Sequence, residues 1–279
     1  MKITKPRKEF KDKFGNANHY LITALVGLNA IEKGQVISKE SSFSTSWNPR
    51  DTMVSARRTR VFILRSFLVM AVESLEMYLT TLNRKPKLLQ SDTFLKIYSK
   101  AGQSIYEKVI RLGDEIQIDP ILVGLMEVLI TWRNYIAHFD VDNEIRKQSW
   151  DILISNSETI KQRFKGLDIA KLKNTWENNG DFTFKETASL IQAVQLFVES
   201  FDQYVLNNLN LETYITEVLE KYFSDKVVGQ RFKSSNNKSK YLIQVIEQRV
   251  GIVNYEVKKE LIDFAISCAN KVIGVAIKK

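Results

Sequence analysis

An all-α fold is what this 279-residue sequence predicts, on three observations. Apolar residues recur at helical spacing through most of the chain. Four Pro and 11 Gly supply too little punctuation for the many tight turns of a sandwich or barrel. The 44% hydrophobic and 26% charged fractions are those of a globular chain with a sizeable core.

Each element follows from its own signals. A first helix is expected over 17–33, where Tyr20, Leu21, Ala24, Leu25, Leu28 and Ile31 hold helical spacing. The Ser/Thr-rich stretch through Trp47-Asn48-Pro49 reads as a loop that ends near Asp51-Thr52, an N-cap. The next helix, 52–83, is apolar nearly all round its middle, as a helix packed on several sides is. Glu73 and Glu76 interrupt it, and Lys85-Pro86 stops it. A third helix is expected over 92–112, capped by Ser91 or Asp92 and closed near Gly113. Asp119-Pro120 opens a fourth that runs to about His138, with Pro at the first helical position. A fifth covers 144–164. Gly166–Asp181 reads as irregular, with a turn at Asn178-Asn179-Gly180, and 225–240 as a basic linker or loop. Helices over 184–207, 211–223, 237–250 and 255–276 complete the chain. The expected organisation is a basic N-terminal extension with one helix (1–51), a helical bundle (52–210) and a C-terminal helical unit (211–279) that is separate or part of the same domain.

Composition removes several classes of function. Cys268 is the single cysteine and His19 and His138 the two histidines, too few soft ligands for a structural zinc. The lone thiol points to a reducing compartment, and a cytoplasmic location is expected. No nucleotide-binding glycine pattern is present, and neither a metal nor a cofactor is expected. The first residues run into further charge and so do not read as a signal peptide. The most apolar stretch, 61–72, is broken by Arg65 and too short to span a bilayer, so no membrane association is expected. Net charge is +9, and residues 1–60 hold 12 Lys/Arg against 5 Asp/Glu. Such a segment suits a polyanionic partner as well as a solvated arm. Within it, Arg57-Arg58-Thr59-Arg60 sits at a helix start, where the dipole disfavours cations, and is a weak candidate RNA contact.

The informative segment ends the fourth helix. With Leu122 as zero and about 100° per residue, Leu125, Leu129, Trp132 and Ile136 fall within about 80°, the core stripe. Glu127, Thr131, Asn134 and His138 fall at roughly 120–180° and form a polar stripe opposite. Asn134 and His138 are i and i+4, so their side chains meet. Arg133 lies at the edge of the apolar stripe, where an unpaired guanidinium is costly, and Glu73 or Glu76 is the expected partner.

These residue types carry chemistry. Imidazole transfers protons near neutral pH, guanidinium matches phosphate oxygens, and an amide orients either without titrating. RNA cleavage without metal needs a base for the 2′-hydroxyl, an acid for the leaving oxygen and positive charge at the phosphorane. One histidine cannot readily be both base and acid, but two copies across a two-fold dimer can.

Arg133-Asn134-Tyr135-Ile136-Ala137-His138 resembles the Arg-x(4–6)-His signature of the HEPN superfamily, including the polar residue directly after the Arg. The resemblance covers six residues and the helical setting of 52–210. It implies a HEPN-type bundle, here with extra N- and C-terminal helices. It further implies a metal-independent endoribonuclease working as a homodimer in a toxin, abortive-infection or antiviral role, restrained by an antitoxin or regulatory partner. His138 would be the acid/base, Arg133 would stabilise charge and Asn134 would position the group. The alternatives are a non-catalytic helical interaction or dimerisation module, and a nucleotide-binding module.

Overall fold

A computed structural model describes residues 3–35, 49–137, 144–253 and 259–278, except for the side chains of 253, 259, 260 and 275–278. The chain is all-α, with thirteen helices among the described residues. By contacts it divides into two compact units. The terminal unit comprises 1–10, 77–102 and 199–279, and the central unit 11–76 and 103–198. The division falls inside three helices: α1 (Lys5–Glu32), α2 (Thr52–Leu82) and α9 (Phe184–Asn207).

Helix α1 begins twelve residues before the expected start at 17. Phe10 and Phe14 are fully buried and extend the series through Ala17, Leu21, Leu25 and Leu28, so one apolar stripe runs the whole length. Burying each phenyl contributes at most about 1.5–3 kcal/mol. The charges around them (Lys8, Lys11, Asp12, Lys13) face solvent, so the basic N-terminal stretch is mostly helix.

In the central unit, α4 (Ile105–Glu115), α5 (Pro120–Ala137), α6 (Lys147–Ser155), α7 (Ser157–Arg163) and α8 (Ile169–Glu177) pack in sequence order. Their boundaries correct several expectations. The helix expected over 92–112 is two, because Gly102, at φ 55°, ends the first and Ser104 caps α4 by accepting from the Glu107 amide. Gly113 does not close that helix. It lies within α4, where a Cβ would meet Val123 at 3.0 Å, so its glycine serves close approach to α5. The span 144–164 breaks at Asn156, whose side chain donates to the Ile152 carbonyl. The stretch 166–181 holds α8, capped by Asp168 accepting from the Lys171 amide. Its Asn178–Gly180 end is a turn with Asn179 at φ 51°. Thr183 and Glu186 then form a reciprocal capping box at the start of α9.

The terminal unit holds α3 (Asp92–Ala101), α10 (Leu211–Phe223), α11 (Lys226–Ser234), α12 (Lys238–Arg249) and α13 (Lys259–Lys278). The expected basic linker at 225–240 is largely α11, capped by Asp225 and anchored by the fully buried Phe232. A two-residue ladder that the sequence does not announce joins β1 (Ile3–Thr4) to β2 (Ile252–Val253), antiparallel. Behind it, Asp202 accepts from the Thr4 amide and hydroxyl and from the Tyr78 hydroxyl. Arg7 binds Glu199.

Candidate functional site

Helix α5 is the most deeply buried element of the central unit. Pro120 starts it, Asp119 accepts from the Ile121 amide, and residues 121–132 are all buried. Gly124 lets Leu153 of α6 approach, since a Cβ there would meet the Leu153 side chain at 3.2 Å. Trp132 stacks on Phe182 at 4.5 Å and donates its indole N–H to the Gly180 carbonyl. These contacts fix the rotation of α5, and so where Arg133 emerges.

The polar stripe does not open to solvent as its alternation suggests. Glu127 is fully buried and Thr131 nearly so. Glu127 accepts from the Ser149 hydroxyl at 2.6 Å, from the Arg146 guanidinium at 2.5 and 2.6 Å and from the Arg146 amide at 3.1 Å. Tyr106 reaches it at 3.4 Å. Burial first, and then the Glu127 charge, push the Tyr106 phenol up to about 12, so it stays a neutral donor. Thr131 accepts from the Trp176 indole. This half of the stripe therefore ties α4, α6 and α8 to α5. A buried carboxylate needs such donors, and the sequence signal for them was Arg146 and Ser149 just beyond the turn.

The second half of the stripe is different. Arg133 is 12% exposed in its side chain. One terminal nitrogen donates to Glu73 of α2, the other donates to the Asn134 side-chain oxygen at 3.0 Å, and Nε is buried with no hydrogen-bond partner among the described residues. Glu73 is 52% exposed, so the pair is largely screened and contributes about 0–1 kcal/mol. Of the two acids expected beside Arg133, Glu73 is the one in contact. Glu76 instead faces the buried Lys108, at 3.9 Å. His138 lies outside the described residues.

The weaker candidates separate. Arg57 and Arg58 are exposed on the first turns of α2. Arg60 binds Glu32 at 3.2 Å and the Asn29 side chain at 2.6 Å, which makes it a tie between α1 and α2. His19 is exposed midway along α1. Among the described residues no three His, Cys, Asp or Glu side chains converge as metal ligands, and no helix is long and apolar enough to cross a membrane.

No family model, curated protein or solved structure matches this chain.

Proposed function

We propose that the chain is a metal-independent endoribonuclease of HEPN type. The observation that carries the reading is Arg133. It stands at the end of a buried helix, with a buried Nε given no acceptor among the described residues, and with its other nitrogens held by a half-exposed acid and by Asn134. Arg146, by contrast, directs Nε and both terminal nitrogens to Glu127 and Asp114. Exchanging the screened Glu73 contact for a phosphate oxygen costs little, and the phosphate gains a donor fixed in place before it arrives.

His138 then removes the proton from the 2′-hydroxyl, which attacks the adjacent phosphorus in line. A second His138, from a two-fold partner, protonates the departing 5′-oxygen, and a 2′,3′-cyclic phosphate remains. Arg133 neutralises the charge that develops on the phosphorane oxygens, and Asn134 orients Arg133. Substrates are single-stranded, where the sugar can swing its hydroxyl in line. A cytoplasmic toxin or antiviral role, with an antitoxin or regulatory partner, accompanies this reading.

The test is incubation of total RNA with the full chain in EDTA. Cleavage leaving cyclic phosphate ends is expected, with loss in His138→Ala. No cleavage at any protein concentration, or cleavage unchanged in that variant, rejects the proposal.

A further inference from the structure

Grouping the chain by its units relocates the positive charge. The terminal unit contains 21 Lys/Arg against 12 Asp/Glu, a net +9, whereas the central unit contains 20 of each and is neutral. Folding thus gathers the whole net charge into the unit that lacks the Arg133 motif. Neutralisation follows the same division. Among the described residues of the central unit eight of its 20 cations rest on carboxylates: Arg60, Arg65, Lys108, Arg111, Arg133, Arg146, Arg163 and Lys173. Among the described residues of the terminal unit, Arg7 is the one cation in an ion pair.

Three of the remaining cations line one pocket of about 490 Å³ between the start of α1, the end of α10 and the end of α12. The Lys5 ammonium donates to the Gln248 carbonyl at 2.9 Å, and the Lys221 ammonium to the Lys85 carbonyl at 3.1 Å. The Arg249 guanidinium lies over the Tyr222 ring, 5.4 Å from its centre. Each side chain is therefore oriented without losing its charge. The one acid in the lining, Asp225, is occupied in capping α11 through the Val227 amide. Arg84, Lys85 and Lys226 stand exposed on the neighbouring 84–87 loop and α11.

We propose that this pocket and its basic rim hold the phosphodiester backbone of single-stranded RNA. Three positioned cations inside a recess answer phosphate oxygens, and the excess charge on the surrounding surface answers a polymer better than a single phosphate. A flat lipid surface cannot enter a recess. The half-exposed Tyr222 adds a ring edge beside the backbone track. The inference rests on the nuclease reading for its choice of RNA, and it assigns substrate holding to residues that play no part in the chemistry.

The test measures binding of a fluorescent 20-nucleotide oligouridine by the full chain carrying His138→Ala, as a function of salt. Each phosphate contact removed lowers the log–log salt slope by about 0.7. The triple variant Lys5→Gln/Lys221→Gln/Arg249→Gln is expected to lower the slope by about 2 and to weaken binding at least tenfold near 0.1 M salt. Because Lys5 is half-buried, the double variant Lys221→Gln/Arg249→Gln, at two exposed positions, provides a second reading with a slope change of about 1.4. A control that removes three exposed central-unit charges (Lys147→Gln/Lys161→Gln/Lys171→Gln) is expected to change binding less than threefold. An equal loss in the control assigns binding to net charge alone and overturns the proposal. Tighter, pocket-dependent binding to phosphatidylserine vesicles than to the RNA also overturns it. The two readings fail separately: RNA cleavage with binding indifferent to the pocket defeats only this inference, and pocket-dependent binding without cleavage by the wild type defeats only the nuclease.

Discussion

In the central unit Arg133 leans on Glu73, Arg146 on Glu127 and Asp114, and Arg163 on Asp119, so these three guanidinium groups are partnered where they emerge. In the terminal unit Lys5 and Lys221 rest on backbone carbonyls and Arg249 on a tyrosine ring, and their charges stay available. The difference separates two uses of positive charge. A paired arginine on a rigid helix supplies geometry, and an unpaired cation on a concave surface supplies attraction. Buried acids divide the same way: Glu127 is met by a guanidinium and a hydroxyl, whereas Asp202 is met mainly by Thr4 and Tyr78.

The largest effect that sharpens this contrast is expected at Glu127. Glu127→Ala leaves the Ser149 hydroxyl and the Arg146 donors inside the fold without an acceptor, at a cost of about 3 kcal/mol in urea denaturation. A loss below about 1 kcal/mol would mean that the buried stripe is not structural. Asp202 comes next, in the terminal unit, with about 2 kcal/mol lost in Asp202→Ala.

Asp202 also predicts a pH dependence. Burial holds its carboxyl above the ordinary 3.8, more than Thr4 and Arg7 lower it. The folded state therefore binds this proton more tightly than the unfolded chain. The stabilisation is complete below about pH 3.8 and is lost as pH rises through the raised value. Asp202→Asn removes this dependence, so the wild-type-minus-variant stability should fall as pH climbs from 3 to 7. A flat or rising difference would contradict the assignment.

Arg133→Ala is expected to cost only about 1 kcal/mol, since its partner Glu73 is half exposed. The smallest change belongs to Arg65→Ala, whose pair with Asp181 is exposed on both sides and contributes about 0.5 kcal/mol or less to thermal stability. A loss there matching Glu127→Ala would erase the distinction between ties and surface pairs.

Much of the fold was legible in the sequence because strong stripes and caps agree. Helices α2, α5, α9 and α10 lie within a residue or two of their expected spans, with Pro120 and the run of apolar residues in α5 as signals. The errors have local causes. Charges at 5–13 concealed Phe10 and Phe14, the unbroken period across 92–112 concealed the positive φ at Gly102, and the basic content of 225–240 concealed the Asp225 cap and Phe232. At the candidate site, the placement of Arg133 beside an α2 acid followed from the helical wheel. The wheel gives rotation but not what covers a face, so Glu127 and Thr131 read as open when Arg146, Ser149 and Trp176 seal them. The pocket was illegible because Lys5, Lys221 and Arg249 come from three distant segments.

The central claim is that chemistry and substrate holding are divided between two sets of cations. Steady-state cleavage of a defined single-stranded RNA in EDTA tests it most directly, comparing wild type, Arg133→Ala and Lys221→Gln/Arg249→Gln. The account predicts a 10²- to 10³-fold lower kcat for Arg133→Ala, and for the double variant a KM raised about tenfold with kcat within about threefold. A double variant that lowers kcat as far as Arg133→Ala does, or an Arg133→Ala chain that keeps its kcat, would contradict it.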